Sequence, residues 1–182
     1  MSALISPGYA FLNRALHAES AGYGTSGKKW AKQVEQLAAM LNTTSVLDYG
    51  AGKGTLAATL PDLPIREYDP AVPGKDAEPA PADLVACTDV LEHIEPECLK
   101  SVLKHIHALT NKVVLFTIHS GPAKKILSDG RNAHLIVRDP RWWLRKINER
   151  FYIVQMQLVG ATIFIVAKKD NPLAGAKIHA DD

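Results

Sequence analysis

The sequence predicts an α/β protein built on a doubly wound, mostly parallel sheet with an antiparallel hairpin strand at its C-terminal end. Short apolar runs alternate with stretches of helical periodicity, which is typical of such sheets. The last two runs, "YIVQMQLV" and "ATIFIVAKK", are separated by too little chain for a crossover helix, so they must form a hairpin. A length of 182 residues with 47% hydrophobic residues indicates one domain with a sizeable core.

The individual elements follow from the apolar periodicity and from the breakers between the periodic stretches. Residues 1–30 are predicted to hold one helix and then a glycine-rich break, "AGYGTSGKKW". A helix at Trp30–Leu41 leads into the main domain, residues 31–170, and residues 171–182 are predicted to form a loose tail. Further helices are predicted at "TLAATL", at Glu95–Leu109 and at "DPRWWLRKINERF". The strands before the hairpin are "TSVLDYG", "PIREYDP", "ADLVACTDV" and "KVVLFTI".

Composition narrows the classes of partner and compartment. A formal net charge of +2 does not demand a nucleic acid or an anionic membrane as partner. No apolar run reaches the roughly 18 residues needed to span a bilayer, so no membrane partner is expected. Cys87 and Cys98 have no paired spacing and follow no recognisable secretory leader, which favours a reducing, cytoplasmic compartment.

A glycine-rich turn after the first predicted strand is the strongest local signal. The stretch "VLDYGAGKG" places Asp48 ahead of Gly50, Gly52 and Gly54, so a bare backbone there can approach a nucleotide-like ligand closely. Asp69, at the end of the next strand, can accept hydrogen bonds from both hydroxyls of a ribose. These features alone suit a dinucleotide as well as S-adenosylmethionine. The Gly-x-Gly-x-Gly spacing and the short chain argue against the dinucleotide.

Two motifs resemble those of the class I S-adenosylmethionine-dependent methyltransferases. They are "VLDYGAGKG" and "ADLVACTDVLEHIEPE", within a resemblance that runs from about Trp30 to Lys169. The resemblance implies a Rossmann-like methyltransferase fold, in which the antiparallel end hairpin is expected, and S-adenosylmethionine as cofactor. It assigns Asp48, Gly50, Gly52 and Gly54 to the methionine end of the cofactor, Asp69 to the ribose hydroxyls, and Thr88 and Asp89 to the closure of the pocket.

The sequence departs from this family between Asp69 and Asp83. The family has a helix and a further strand there, whereas this chain has the proline-rich "PAVPGKDAEPAPA" without hydrophobic periodicity. We therefore predict that one edge strand and its helix are missing. The family's acidic contact to the adenine amino group comes from the end of that strand, and Asp76 or Glu78 is the candidate substitute.

The acceptor of the methyl group is constrained by what the motifs lack. "TDVLEH" stands where the exocyclic-amine DNA methyltransferases carry Asn-Pro-Pro-Tyr, and no Cys has the Pro-Cys setting of cytosine C5 chemistry. Transfer to oxygen or nitrogen of a small molecule or a nucleotide is therefore predicted. The alternatives are an RNA methyltransferase of the metal-assisted 2′-O type, a DNA-directed methyltransferase, and a non-catalytic module that binds S-adenosylmethionine.

A cluster of carboxylates and histidines is the candidate catalytic site. In "TDVLEH", Asp89, Glu92 and His93 stand at i, i+3 and i+4, which puts them on one face if the chain coils after the strand. Mixed oxygen and nitrogen ligands suit Mg²⁺ or Mn²⁺. The pattern resembles the Glu-x-x-Glu-His metal motif of ubiquinone-pathway and small-RNA methyltransferases, and this resemblance adds His134 as a fourth ligand. Without a metal, His93 or His134 would act as base, with Glu92 near the acceptor.

Two further stretches each have a functional and a structural interpretation. "WWLRKINERF" would stack on and neutralise a nucleotide, or one Trp would pack on the sheet while the charges face solvent, which we favour. "YGTSGKKW" is either a lid that brings Tyr23 and the backbone of residues 24–27 over the cofactor, or a plain turn before a helix.

Overall fold

The computed structural model describes residues 3–171, which fold into a six-stranded sheet with helices on both faces. The helices are α1 (Pro7–Glu19), α2 (Gly27–Met40), α3 (Thr55–Thr59), α4 (Leu99–Leu109) and α5 (Pro140–Asn148). The strands are β1 (Val46–Tyr49), β2 (Ile65–Tyr68), β3 (Ala82–Thr88), β4 (Thr110–His119), β5 (Tyr152–Val159) and β6 (Thr162–Lys168).

The strand order is β2-β1-β3-β4-β6-β5, and the first four of these strands are parallel. β6 pairs antiparallel with both β4 and β5, and it turns back from β5 at Gly160, whose φ is +60°. The predicted fold class, a mostly parallel doubly wound sheet ending in an antiparallel hairpin, is confirmed. Parallel strands joined by helices end at the same edge of the sheet, which is where ligands bind in such folds.

Two helix starts follow from capping side chains next to prolines. Ser6 Oγ accepts a hydrogen bond from the Tyr9 N–H, and Asp139 Oδ1 accepts from the Trp142 N–H, with proline at the first position of each helix. The predicted helix at Glu95–Leu109 was too long. α4 begins only at Leu99, because a short 3₁₀ turn at Leu91–His93 and a further turn around Pro96 come before it.

The core lies on both faces of the sheet. On one face α4 and α5 pack on the strands, and Trp143 is fully buried among apolar side chains. On the other face α2 and α3 contribute Val34 and Leu56, also fully buried. Arg141 and Arg145 are exposed on α5, which confirms the structural interpretation of "WWLRKINERF": one Trp packs on the sheet and the charges face solvent.

The segment between β2 and β3 contains turns but no helix or strand, so within the described residues the predicted loss of an edge strand and its helix is confirmed. β2 is therefore an edge of the sheet, and the Arg66 guanidinium fixes the end of the proline-rich segment by donating to the carbonyls of Ala80 and Pro81 at 3.0 and 2.8 Å. The predicted loose tail, residues 171–182, lies outside the described part of the chain beyond Asn171.

Candidate active site

A cavity of about 550 Å³ opens at the C-terminal ends of the parallel strands. Its walls are the glycine turn after β1, the loops after β2 and β3, the segment after β4, and the N-terminal part of the chain around α1. Pockets of a few hundred Å³ at this position of an open α/β sheet are typical ligand sites. Most of the predicted site residues line this one cavity.

The glycine turn is shaped by backbone that has no room for side chains. Gly50, Gly52 and Gly54 all have positive φ, at +80°, +50° and +73°. A Cβ on Gly52 would lie 2.8 Å from the backbone of Gly24, and one on Gly50 would collide with Val90. Gly50 and Gly52 line the cavity, whereas Gly54 lies behind the turn, where it caps the start of α3.

Two carboxyl groups face this turn. Asp69, at the end of β2, accepts from the Gly52 N–H at 3.0 Å through Oδ2 and from the Ala71 N–H at 2.9 Å through Oδ1. Asp48 is 2% exposed, and burial, reinforced by the charge of Glu67, raises its pKa to about 7. We call this part of the cavity the glycine-turn end; it is formed by Asp48, Gly50, Gly52 and Asp69.

The candidate substitutes for the family's adenine contact lie outside the cavity. Glu78 is bound to His105 Nε2 on α4 at 2.9 Å, and Asp76 accepts from the Gly74 N–H at 3.2 Å. Neither residue lines the cavity, so the structure does not bring either candidate to this site. The reason is that His105, which also contacts the Tyr49 hydroxyl at 3.0 Å, holds the proline-rich segment against α4.

Thr88 and Asp89, to which the family resemblance assigns the closure of the pocket, both line the cavity. Asp89 adopts the left-handed region, with φ +54°. Its N–H donates to the Thr117 carbonyl at 2.9 Å, and its carboxylate accepts from the Thr117 hydroxyl at 3.1 Å. The Asp89 side chain is therefore tied to β4.

A second part of the cavity, which we call the histidine end, contains Glu92, His93 and His134. One ligand atom from each of the three residues lies within 4.8 Å of the others, and Asp89 does not belong to this group. Of the four predicted metal ligands, the structure thus brings together three. Asp89 stays apart because its hydrogen bonds with Thr117 turn it toward β4.

Glu92 is the most deeply buried polar group of the histidine end, with no exposed surface. Its Oε1 accepts from the His119 N–H at 2.7 Å, while Oε2 has no hydrogen-bond partner among the described residues. Burial, reinforced by the charge of Asp89, raises the pKa of Glu92 to about 8. A buried carboxyl oxygen without a partner is costly, and a bound group or an ordered water at Oε2 would offset this cost.

The two histidines are held in one tautomer by backbone carbonyls. His93 Nδ1 lies 2.7 Å from the Ala133 carbonyl, and His134 Nδ1 lies 2.6 Å from the Gly121 carbonyl. A carbonyl only accepts, so each Nδ1 carries the proton and each Nε2 keeps its lone pair. Burial, with the neighbouring His134, lowers the pKa of His93 to about 4, and burial also lowers the pKa of His134. Both imidazoles are therefore neutral at physiological pH.

The glycine-rich break before α2 lies against the glycine turn. The Lys53 N–H donates to the Gly24 carbonyl at 2.9 Å, and Lys53 Nζ donates to the Ser20 carbonyl at 2.7 Å. Lys125, from the segment after β4, donates to the Ser20 hydroxyl and lies over the Tyr23 ring. The stretch that the sequence analysis marked as a lid or a turn thus covers part of the cavity wall.

Several residues of the cavity were missed by the sequence reasoning. His17 lines the wall and packs edge-on against Tyr23, with ring centroids 4.7 Å apart. Glu95 accepts from the N–H and the hydroxyl of Ser6 at 2.8 and 2.6 Å, which fixes the start of α1 across the cavity. Glu95 belongs to the quoted "LEHIEPE" motif, but its partner is 89 residues away in sequence, so no local pattern pointed to it.

Solved structures with the same architecture define the class of fold. The chain is similar to 1,6-didemethyltoxoflavin-N1-methyltransferase from Burkholderia thailandensis, solved with 1,6-didemethyltoxoflavin and S-adenosylhomocysteine, at 21% identity over 94% of this chain and 93% of that chain, with a TM-score of 0.64. It is similar to N-methyltransferase NodS from Bradyrhizobium japonicum WM9, solved with S-adenosylhomocysteine, at 11% identity over 90% and 100% of the two chains, with a TM-score of 0.61.

A third structure, magnesium protoporphyrin IX methyltransferase (ChlM) from Synechocystis PCC 6803 with S-adenosylhomocysteine, matches at 15% identity over 91% of this chain and 95% of that chain, with a TM-score of 0.56. At these identities the likeness concerns the fold, which is that of the class I S-adenosylmethionine-dependent methyltransferases. A family described as "Methyltransferase domain" matches residues 23–163, and the chain belongs to this methyltransferase family. No curated protein matches the chain in sequence.

Proposed function

We propose that the protein transfers the methyl group of S-adenosylmethionine to an oxygen or nitrogen atom of a small molecule. One observation carries the proposal: a single cavity joins the glycine-turn end, with Asp48 and Asp69, to the histidine end, with two neutral imidazoles. The first suits a nucleoside-based cofactor and the second suits proton removal from an acceptor.

The residues of the glycine-turn end fit S-adenosylmethionine. The wall at Gly50 and Gly52 is backbone that a Cβ would obstruct, and Asp69 lies beside it with two oxygens able to accept from ribose hydroxyls. We assign Asp48 to the methionine ammonium, because a buried carboxyl beside a cation is stabilised in its charged form. When bound, the cofactor supplies an electrophilic methyl group on its sulfonium.

The histidine end would align the acceptor and take its proton. His93 and His134 each present an Nε2 lone pair, and a lowered pKa keeps both imidazoles unprotonated. Glu92 Oε2, which has no hydrogen-bond partner in the described part of the chain, would hold the acceptor or orient its proton. Proton removal in the transition state by a positioned base contributes roughly 10²- to 10⁴-fold in rate.

We further propose that the same three residues can hold a divalent cation. Glu92 offers an unpartnered buried oxygen, and the Nδ1–H groups of His93 and His134 are bound to carbonyls in the manner of metal-ligating histidines. Two imidazoles and one carboxylate suit a borderline ion such as Mn²⁺ better than Mg²⁺. A cation here would lower the pKa of an acceptor hydroxyl; Asp89 is left out of the ligand set.

Several features favour a small acceptor over a polynucleotide. The basic residues Arg138 and Lys146 line a separate cleft together with Trp142, and they do not line the active-site cavity, so phosphates held there would not lead directly to the histidines. A separate finding, without bearing on the acceptor, is that between residues 3 and 171 no helix is long and apolar enough to cross a membrane. The structurally similar proteins from Burkholderia thailandensis and Synechocystis are named for small-molecule acceptors.

We also propose that Tyr23 and residues 24–27 act as the lid of the cofactor site. Gly24 lies in backbone contact with Gly52, and Lys53 binds the segment through both its N–H and its ammonium group. Loops that close over a bound cofactor exclude water and set the rate of its release.

The cytoplasmic location stays a prediction from the two cysteines, both of which are buried and free.

A screen with methyl-labelled S-adenosylmethionine against pooled metabolites, nucleotides and RNA tests the proposal. We expect transfer to a small molecule, loss of transfer in His93→Ala and His134→Ala, and unchanged binding of S-adenosylhomocysteine in both variants. Binding without transfer to any pool would favour the non-catalytic module, and tight, salt-sensitive RNA binding would favour the polynucleotide. Activity that survives chelation and does not respond to Mn²⁺ would remove the metal but leave both histidines as bases.

A further inference from the structure

The outer edge of the sheet at β5 is long, uncharged and apolar. Its eight residues, "YIVQMQLV", contain no Lys, Arg, Asp, Glu or Pro. Val154, Met156, Leu158 and Val159 are 46%, 44%, 51% and 52% exposed. β5 pairs with β6 on one side, and on its other side no described strand pairs with it. Charges, prolines and covering segments are the usual means by which proteins protect such edges.

The opposite edge of the sheet, at β2, carries such protection. β2 has only four residues, two of which, Arg66 and Glu67, are charged. Arg66 also holds the end of the proline-rich segment beside the strand through two hydrogen bonds. Among the described residues β5 has none of these protections, so its outer edge can pair with a further strand.

We propose that β5 pairs antiparallel with β5 of a second copy of this chain, so that two six-stranded sheets join into one. In a two-fold symmetric pair, each β5 strand lies beside an identical β5 strand. Because β5 carries no charges, the two copies make no like-charge contacts in any register. Met156 and Leu158 are two residues apart and share one face, where they would meet the same side chains of the partner strand.

The number of contacts available fits a reversible dimer. Antiparallel pairing of two eight-residue strands, each about 27 Å long, gives about eight hydrogen bonds between chains, within the usual range for a specific interface. The half-exposed side chains add on the order of 200 Å² of apolar surface per chain. This is below the roughly 800 Å² per partner of a standard interface, so we expect dissociation in the micromolar range.

Sedimentation velocity of the full-length chain between about 1 µM and about 200 µM tests the proposal. We expect a concentration-dependent dimer in the wild type. Met156→Lys and Leu158→Lys place a charge opposite or near its own copy, so both variants should stay mostly monomeric at concentrations where the wild type is mostly dimeric, with dissociation constants raised at least about 30-fold. The matched control is Met40→Lys on α2, at a side chain that is 82% exposed, and it should dimerise as the wild type does.

Far-UV circular dichroism and thermal unfolding of each variant confirm that it is folded before its association is interpreted. A wild type that is monomeric at all concentrations would overturn the proposal, as would a dimer that persists in Met156→Lys and Leu158→Lys. A variant that ends at Asn171 tests whether residues 172–182 occupy the β5 edge in place of a second copy. If this variant dimerises while the 182-residue chain stays monomeric, residues 172–182 block the edge, and the proposed dimer of the 182-residue chain does not form.

Discussion

At one end of the cavity two carboxyl groups, Asp48 and Asp69, face a turn of bare backbone; at the other, two neutral imidazoles flank the buried carboxyl of Glu92. The glycine-turn end is built from residues close in sequence, with fixed backbone shape and N–H groups. The histidine end is assembled from the loops after β3 and β4, which are 41 residues apart at His93 and His134. Under the proposed function the first end binds the cofactor and the second removes the proton of the acceptor, so mutations at the two ends should have separate effects on binding and on catalysis.

Mutations at the histidine end should show the largest difference between the effect on kcat and the effect on cofactor affinity. His93→Ala combined with His134→Ala should lower kcat about 10²- to 10⁴-fold, because no base remains near the acceptor. Affinity for S-adenosylhomocysteine, measured by calorimetry, should stay within about threefold, since neither residue lies at the glycine turn. The control is His107→Ala on α4, whose ring packs on Phe151. Equal losses of affinity and of kcat would mean that the two ends are one unit.

Asp69→Ala should have the opposite pattern, with its main effect on cofactor affinity. Ribose hydroxyls that lose their acceptor should weaken binding of S-adenosylhomocysteine by about 1–3 kcal/mol, roughly 5- to 150-fold. Because Asp69 also accepts from the Gly52 N–H, circular dichroism must show that the variant is folded. Asp62→Ala, on an exposed turn after α3, is the matched control. Unchanged affinity in folded Asp69→Ala would contradict the assignment of the glycine-turn end to the cofactor.

Cofactor binding at the glycine-turn end should depend on pH, because burial raises the pKa of Asp48 to about 7. The folded protein holds a proton that the unfolded chain releases near pH 4, so this contribution to stability is lost as the pH rises through 7. A bound ammonium favours the charged carboxylate. Affinity for S-adenosylhomocysteine should therefore rise up to about tenfold between pH 6 and pH 8, with proton release below pH 7. In Asp48→Asn, calorimetry in two buffers should show neither effect.

The smallest effect is expected where the lid meets the glycine turn. Lys53→Ala removes the side-chain contacts to the carbonyls of Ser20 and Ala21 but keeps the backbone bond to Gly24. At this exposed position we expect dissociation of S-adenosylhomocysteine to quicken about threefold, measured by stopped flow. Lys32→Ala, on the exposed face of α2, should leave the rate unchanged. A rate equal to that of the wild type would contradict a lid held by Lys53.

The contrast between the two ends also explains what the sequence could predict. Asp48 and the glycines follow one another on a strand and its turn, so their place in the fold depends on local pattern. The role of His134 came from a resemblance, and the structure brings it to Glu92 and His93. Asp89 was expected in the same group, but its position depends on Thr117 of the neighbouring strand, which spacing along the chain does not reveal.

Contacts between distant segments account for the other errors. The loss of an edge strand after Asp69 was predictable, because a proline-rich stretch without hydrophobic periodicity cannot form one. The position of the Glu78 side chain was not predictable, because it depends on a hydrogen bond with His105 of α4. The same holds for the hydrogen bonds between Ser6 and Glu95, which join residues 89 positions apart in sequence.

The backbone contact between Gly24 and Gly52 has a consequence for how this chain can change by mutation. A side chain at Gly52 would press on the Gly24 backbone, and one at Gly24 would collide with the ring of His17. Both glycines also have positive φ, where L residues are strained. Each glycine therefore restricts which residue can stand at the other position. Replacing either glycine alone destabilises the fold, and a second substitution would have to compensate for that loss. In a library that randomises both positions, we expect glycine to be recovered at the two sites together.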